Sequence, residues 1–204
     1  KIPAIEAYRG EFEKIKDRFQ IKVTLTPENI DTVVKKRLLS KKPDMLKSLE
    51  ELYGKYSGSL ATSALIKSPA REYGGLLTRI NKEAFVDSYP LMPYHVLLMQ
   101  QIFSSLRSRG RVTPELTGRE RAILGVVRAL LIGPKADTKG LAYAEIGSLA
   151  TFDVVYDAIH LEVRGEYQAM IEEGNKLGEK EGLQVGSVAK ALFLLQQVGE
   201  WIPC

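Results

Sequence analysis

The chain has 204 residues, of which 45% are hydrophobic, and its 29 basic and 25 acidic residues give a net charge of +4. This length and composition suit one larger or two small globular domains with a real core, and they exclude a disordered chain. The single cysteine excludes an internal disulfide framework and a zinc site of several thiolates, so we expect a reduced, cytoplasmic protein. Because acidic and basic residues are interspersed, charge alone does not indicate a nucleic-acid binder.

The two ends of the sequence predict a segment of a longer protein, since it begins at Lys1 without an initiator methionine and stops at Cys204. One of the longest apolar runs, from Ala122 to Ile132, is interrupted by Arg128. It falls short of the roughly 20 residues that cross a bilayer. The N-terminal stretch also lacks the apolar core of a signal peptide. We therefore predict no membrane partner.

The first 25 residues contain two predicted elements. Apolar residues spaced three or four apart predict an amphipathic helix from Pro3 to Phe19. Apolar and polar residues then alternate from Ile21 to Leu25, the pattern of a β-strand, and this is the only clear strand in the sequence. A lone strand must pair with later residues or with a sheet outside this sequence, because its backbone groups need partners.

Helical periodicity predicts most of the remaining chain. Thr26 is a suitable N-cap for a helix that begins at Pro27 and runs to about Leu39. A second helix, from Pro43 to about Tyr56, is expected to pair with it in antiparallel fashion. Later predicted helices cover Pro93–Gly110, Thr117–Ile132, Ile146–His160, His160–Gly174 and Val185–Trp201. The predicted fold is mainly α, a helical array of about seven helices with one short strand near the N-terminus.

A change in composition indicates two subdomains. Periodicity fades from Ser57 to Gly75, where Gly, Ser and Ala are frequent, and this stretch is typical of a joint. A boundary at Asn81–Tyr89 is the alternative. We predict one subdomain over residues 1–75, which contains the strand and the first helices, and a helical subdomain over residues 76–204.

The sequence offers no recognisable arrangement of catalytic residues. Gly133–Gly140 is rich in glycine and lysine but lacks the spacing of a phosphate-binding loop. His95 and His160 lie on different predicted helices without nearby metal ligands, so packing or hydrogen bonding is the favoured role of each. Cys204 has no partner that would make it a nucleophile. We predict no catalytic residue and no metal site.

Arginines give the one concentration of candidate binding residues. Their guanidinium groups suit phosphate recognition, on DNA or on a nucleotide held by a neighbouring subunit. The interspersed Glu115 and Glu120 favour the alternative of an ordinary solvated face. A further candidate is Arg37, which follows the predicted strand and lies in the next helix, although it also fits a surface arginine. The six clustered arginines are Arg107, Arg109, Arg111, Arg119, Arg121 and Arg128.

Several stretches together resemble the large P-loop ATPases of bacteriophage-exclusion (BREX) defence systems, the BrxC/PglY family. The most recognisable parts are Tyr-Pro-x-x-Pro-Tyr at Tyr89–Tyr94 and Gly-Arg-Glu-Arg at Gly118–Arg121. Their order and separation also fit that family. The stretches are Ile30–Lys42, Phe85–Leu106, Leu116–Ala129, Phe152–Ile159 and Val188–Pro203.

The resemblance implies that an ATPase core, with its Walker lysine and Mg²⁺ ligands, precedes Lys1 in a parent protein. Strand Ile21–Leu25 would then be the last strand of that core, and the helices after Thr26 would resemble the lid of AAA+-like ATPases. Arg37 becomes a nucleotide-sensing candidate. ATP and Mg²⁺ are implied for the parent only, with its remaining domains and other defence-system proteins as partners.

Three functional hypotheses follow. The first is a non-catalytic lid, regulatory or assembly region of a P-loop ATPase that acts against phage or foreign DNA. The second is a helical DNA-binding module that uses the arginine cluster. The third is a scaffold whose exposed apolar faces dock other domains of the parent protein, with oligomerisation left open.

Overall fold

A computed structural model describes residues 27–63, 80–116, 120–133, 138–183 and 185–199, and it confirms the predicted mainly α fold. No described helix combines the length and the apolar character needed to cross a membrane. The predicted helix Pro3–Phe19 and strand Ile21–Leu25 lie outside the described residues. Eight α-helices are described: Pro27–Arg37 (α1), Pro43–Ser63 (α2), Lys82–Ser88 (α3), His95–Ser108 (α4), Glu120–Ile132 (α5), Phe152–Ile159 (α6), Gly165–Lys180 (α7) and Val185–Leu195 (α8). Three short 3-10 helices cover Leu141–Tyr143, His160–Glu162 and Gln196–Val198.

The first two described helices begin where the sequence predicts, but the second ends later than predicted. α1 and α2 begin at Pro27 and Pro43 as predicted. α2 continues to Ser63, past the predicted end at Tyr56, and its partly buried Leu60 still packs on an apolar cluster. Packing therefore extends the helix through a glycine-containing sequence.

The helix predicted to start at Ile146 begins only at Phe152. Gly147 has a φ of 113°, which is not a helical conformation. Its N–H donates to the Tyr89 hydroxyl at 2.8 Å. The helix predicted from His160 is instead a 3-10 turn followed by α7, because Val163 leaves the helix to form an antiparallel bridge with Val112.

The main apolar core surrounds α4. Leu98, Met99, Ile102, Phe103 and Leu106 are fully buried along this helix, at the three and four residue spacing of a core stripe. Side chains of α1, α5, α6 and α8 pack around it, together with Ile171 of α7 and residues of the connecting segments. Among the members from those four helices are Ile30, Val34, Ile123, Val127, Leu130, Val155, Ile159, Phe193 and Leu194.

The predicted antiparallel pairing of α1 with α2 is wrong. α1 packs on α4 and α5, whereas α2 packs on α3 around a smaller cluster that contains Leu49 and Phe85. The stretch Asn81–Tyr89, an alternative boundary, is mostly helix α3, with the Asn81 side chain accepting from the Ala84 N–H at 2.7 Å. The predicted boundary between residues 75 and 76 lies outside the described residues and stays a prediction.

Candidate functional site

The predicted arginine cluster is distributed over two helices and a loop. Arg107 and Arg109 are exposed at the C-terminal end of α4, and Arg121 and Arg128 are exposed on α5. The seven-residue spacing of Arg121 and Arg128 places them on one face of α5. Arg119 lies outside the described residues.

The Arg111 side chain contacts the ring of Tyr167 within the fold. Its guanidinium carbon lies 5.3 Å from the centroid of the Tyr167 ring. Its backbone carbonyl accepts from the Arg164 N–H at 3.0 Å, next to the bridge of Val112 with Val163. Arg111 therefore ties the loop after α4 to the start of α7, which makes it a poor candidate for phosphate contact.

Arg107 and Arg109, at the C-terminal end of α4, have different surroundings: Arg107 acts on the Glu115 carboxyl, whereas Arg109 lines a groove. The pKa of the exposed Glu115 carboxyl is lowered first by a hydrogen bond from the Thr113 side chain and less by the charge of Arg107. Arg109 lines an open groove of about 500 Å³ between α4 and the 3-10 helix Gln196–Val198. The lining is mainly polar and includes Gln101, Ser104, Ser105, Ser108, Gln196 and Gln197.

The second sequence candidate, Arg37, is exposed in the last turn of α1. Beside the same helix lies a cleft of about 430 Å³, closed on its other side by the start of α2 and by α3. Its α1 residues follow positions i, i+1, i+4 and i+5, a stripe that does not include Arg37. We call it the lysine cleft; its polar lining is Asp31, Thr32, Lys35, Lys36, Ser40, Lys41 and Asp87.

Three ammonium groups and two carboxylates line the lysine cleft. Lys35 pairs with Asp31 through an Nζ to Oδ2 distance of 2.6 Å. Lys41 Nζ donates to the backbone carbonyl of Asp87 at 2.8 Å. Lys36 is exposed and makes no salt bridge within the described residues. Lys36 and Lys41 are therefore the charges that an incoming anion would meet.

Burial lowers the pKa of Lys41 to about 8. Desolvation is the largest cause, because it penalises the charged ammonium, and the nearby Lys35 lowers the pKa further. Asp87 acts in the opposite direction. A bound anion would favour the charged form of Lys41, so anion binding and protonation of this amine are coupled.

The sequence pattern did not single out the lysine cleft. The sequence contains the basic run Lys35–Arg37, but the position of Arg37 after the predicted strand favours that residue over its two neighbours. The residue that orients Lys41 is Asp87, 46 positions later. A contact of that sequence separation leaves no local pattern to detect.

Both histidines make local hydrogen bonds. His95 is 3% exposed, its Nδ1 accepts from the Met92 N–H at 3.2 Å, and its ring packs edge-on against Tyr94 and Phe152. Burial lowers the pKa of His95 to about 4, so the ring is neutral at physiological pH. His160 Nδ1 lies 3.0 Å from the Asp157 carbonyl. Among the described residues, no group of three or more His, Cys, Asp or Glu side chains converges to hold a metal ion.

No protein-family model matches this chain, and no solved structure matches it. Its class is therefore defined by fold and surface chemistry: a mainly α-helical protein with a lysine-lined cleft beside its first described helix.

Proposed function

We propose that this chain is a non-catalytic helical region, with a lid-like regulatory or assembly role, of a larger P-loop ATPase of the BREX type. The observation that supports the proposal is the lysine cleft, which offers Lys36 and Lys41 to a phosphate group. ATP and Mg²⁺ would be held by the rest of the parent protein, in the cytoplasm. Its partners would be the remaining ATPase domains and other defence-system proteins.

The chemistry of the lysine cleft suits phosphates presented by a neighbouring domain. An ammonium group is a compact charge with three donors, and it binds phosphate oxygens without a fixed plane. Lys41 is held in place by its bond to the Asp87 carbonyl. A nucleotide phosphate that reaches the cleft would stabilise the charged amine and so couple nucleotide state to the position of α1 and α3.

ATP turnover tests this proposal. We expect this chain alone to hydrolyse ATP no faster than buffer, and the longer protein that contains it to show turnover that depends on Mg²⁺. Turnover by the chain alone that persists through every purification step would contradict the non-catalytic role. Absence of turnover in the longer protein would contradict the ATPase assignment.

A second candidate, DNA binding, is favoured by the exposure of four arginines. Arg109, Arg121 and Arg128 make no salt bridge to a carboxylate within the described residues. Neutralised phosphates release counterions, so affinity for duplex DNA should fall as salt rises. Replacing Arg107, Arg109, Arg121 and Arg128 by alanine should lower the slope of log affinity against log salt by up to about 3.6.

The matched control replaces four exposed lysines elsewhere on the surface, Lys42, Lys47, Lys176 and Lys180, so that both variants lose four positive charges. Fluorescence anisotropy with a labelled duplex measures both variants. An affinity that does not depend on salt, or an equal loss in the arginine and lysine variants, would contradict binding through the arginine cluster.

A further inference from the structure

The helical hairpin of α7 and α8 carries a concentration of exposed apolar side chains. Met170 and Leu177 on α7 are each 59% exposed, and Leu183 in the turn is 57% exposed. Val188 and Leu192 on α8 are 57% and 55% exposed. Single exposed apolar residues are ordinary, whereas several that share one face can form an interaction surface.

The packing of the hairpin determines where these side chains lie. The two helices run antiparallel: Gly178 near the end of α7 meets Val185 at the start of α8, and the Tyr167 and Phe193 rings lie 5.6 Å apart at the other end. Close approach requires Gly178, because a Cβ there would be 2.6 Å from that of Val185. α7 and α8 are therefore closely packed against each other along the length of the hairpin.

Inward contacts identify the opposite side of the hairpin as the exposed one. On α8, Lys190 pairs with Asp157 of α6 at 2.7 Å, and the Phe193 ring packs against Tyr156. On α7, the Gln168 amide donates to the His160 and Val163 carbonyls at 2.7 and 2.6 Å. A rotation of 100° per residue then places the four helical apolar side chains on the face turned away from α6. We call this the hairpin face; its members are Met170, Leu177, Val188 and Leu192.

Acidic residues interleave with the apolar ones along α7. Glu166, Met170, Glu173 and Leu177 follow spacings of four, three and four, so they form a single stripe. Both glutamates are exposed, and neither makes a salt bridge within the described residues. The nearest described ion pair on this helix joins Lys176 to Glu172. Lys180, three residues after Leu177, continues the stripe, so the α7 side of the hairpin face carries two glutamates and one lysine and is net negative, in a chain whose net charge is +4.

We propose that the hairpin face is a docking site for an amphipathic helix of a partner protein, with an apolar stripe flanked by lysine or arginine. Apolar side chains of such a helix would cover Met170, Leu177, Val188 and Leu192, and its basic flank would pair with Glu166 and Glu173. A second copy docking through the same face would oppose glutamate to glutamate, and an anionic lipid surface would meet the same repulsion. This inference does not depend on the ATPase proposal.

Peptide binding to the chain tests the docking site. The probe is a fluorescein-labelled designed helix of about 18 residues, five turns, with leucine along one stripe and lysine elsewhere. A control peptide carries glutamate in place of each lysine. Anisotropy titrations should give a Kd on the order of 10 µM for the lysine peptide, which weakens with salt, and binding at least about tenfold weaker for the glutamate peptide.

Variants locate the binding on the protein. Leu177→Gln with Leu192→Gln should weaken binding of the lysine peptide at least about tenfold, whereas Tyr143→Gln should leave it within about twofold. Tyr143 is the matched control because it is 67% exposed and lies outside the hairpin, in the 3-10 helix that packs on α5. All three positions are exposed, so thermal unfolding should change little and a loss of binding would not reflect unfolding.

Several results would overturn the proposal. One is equal loss with Tyr143→Gln and with the hairpin variant, and another is no binding of the lysine peptide to the unmodified chain. Binding to phosphatidylserine vesicles that requires Leu177 and Leu192 would assign the face to a membrane instead. A dimer seen by sedimentation and lost in the hairpin variant would assign it to a second copy.

Discussion

The guanidinium group of Arg111 stacks on the ring of Tyr167, 5.3 Å from its centroid, and so joins the loop after α4 to the first turns of α7. The same arginine belongs to the sequence cluster from Arg107 to Arg128 that indicated phosphate binding. Arg111 therefore makes an intramolecular contact that stabilises the fold, while Arg121 and Arg128 are exposed on α5.

Arg111 and Arg121 should respond differently to truncation. Arg111→Ala should lower the free energy of unfolding by about 1 kcal/mol, because it removes the stacking on Tyr167. Arg121→Ala should change it by no more than about 0.5 kcal/mol, since the side chain is exposed. Urea denaturation measures both variants. Equal effects of the two substitutions would show that the stacking contributes nothing measurable.

Acid should destabilise the protein through His95. Its pKa is about 4 in the folded chain because of burial, against 6.5 for an unperturbed histidine. The unfolded state therefore binds the extra proton first as pH falls, and stability decreases from about pH 6.5 toward pH 4. For one such histidine, the free energy of unfolding falls by about 2 kcal/mol between pH 7 and pH 5.

The measurement is urea denaturation of the unmodified chain and of His95→Asn at both pH values. Asparagine keeps a side-chain acceptor for the Met92 N–H but does not titrate. We expect the variant to be less stable at pH 7 and to lose about 2 kcal/mol less than the unmodified chain on acidification. An identical pH dependence in both proteins would assign the acid sensitivity to other groups.

Lys41 should be an unusually reactive amine. Desolvation lowers its pKa to about 8, so a large share of the side chain is a neutral nucleophile at mildly alkaline pH. Competitive labelling with acetic anhydride, read by mass spectrometry as a function of pH, should give a midpoint near 8 for Lys41.

A substitution of Asp87 tests the direction of the pKa shift of Lys41, because the Asp87 carboxylate raises that pKa. Asp87→Asn keeps the backbone carbonyl that accepts from Lys41 Nζ, and it should shift the labelling midpoint to lower pH. A midpoint at the ordinary lysine value of 10.5 in the unmodified chain would contradict the burial of this amine.

Two glycines of α7 form a matched pair for the hairpin. A Cβ at Gly178 would lie 2.6 Å from the Val185 Cβ and 2.8 Å from the Leu183 carbonyl oxygen, so Gly178→Ala should destabilise by about 1 to 3 kcal/mol. A Cβ at Gly174 meets nothing within 4 Å, so Gly174→Ala should stabilise by about 0.5 to 1 kcal/mol. Thermal unfolding measures both variants, and a stabilising effect of Gly178→Ala would contradict the close packing of α7 on α8.

Local signals in the sequence predicted the helical fold and the starts of α1 and α2, because proline and apolar spacing act within a few residues. Pro27 and Pro43 begin helices as expected. Tertiary packing determines what local signals do not. α1 packs on the core around Met99 and not on α2. Gly147 interrupts a helical sequence pattern, and its N–H donates to the Tyr89 hydroxyl. The same limit applies to the lysine cleft, since Lys41 and Asp87 meet only when α3 folds back.

The most direct test of the proposed ATPase role is ATP turnover by the longer protein with Lys36→Ala and Lys41→Met in the lysine cleft. Methionine is unbranched and keeps most of the length of the half-buried Lys41 side chain without its charge, and Lys47→Met on the exposed surface of α2 is the control. The proposal predicts that kcat/KM for ATP falls at least about tenfold in the cleft variant, the loss expected for a charged hydrogen bond. A value within about twofold of both the control and the unmodified protein would contradict it.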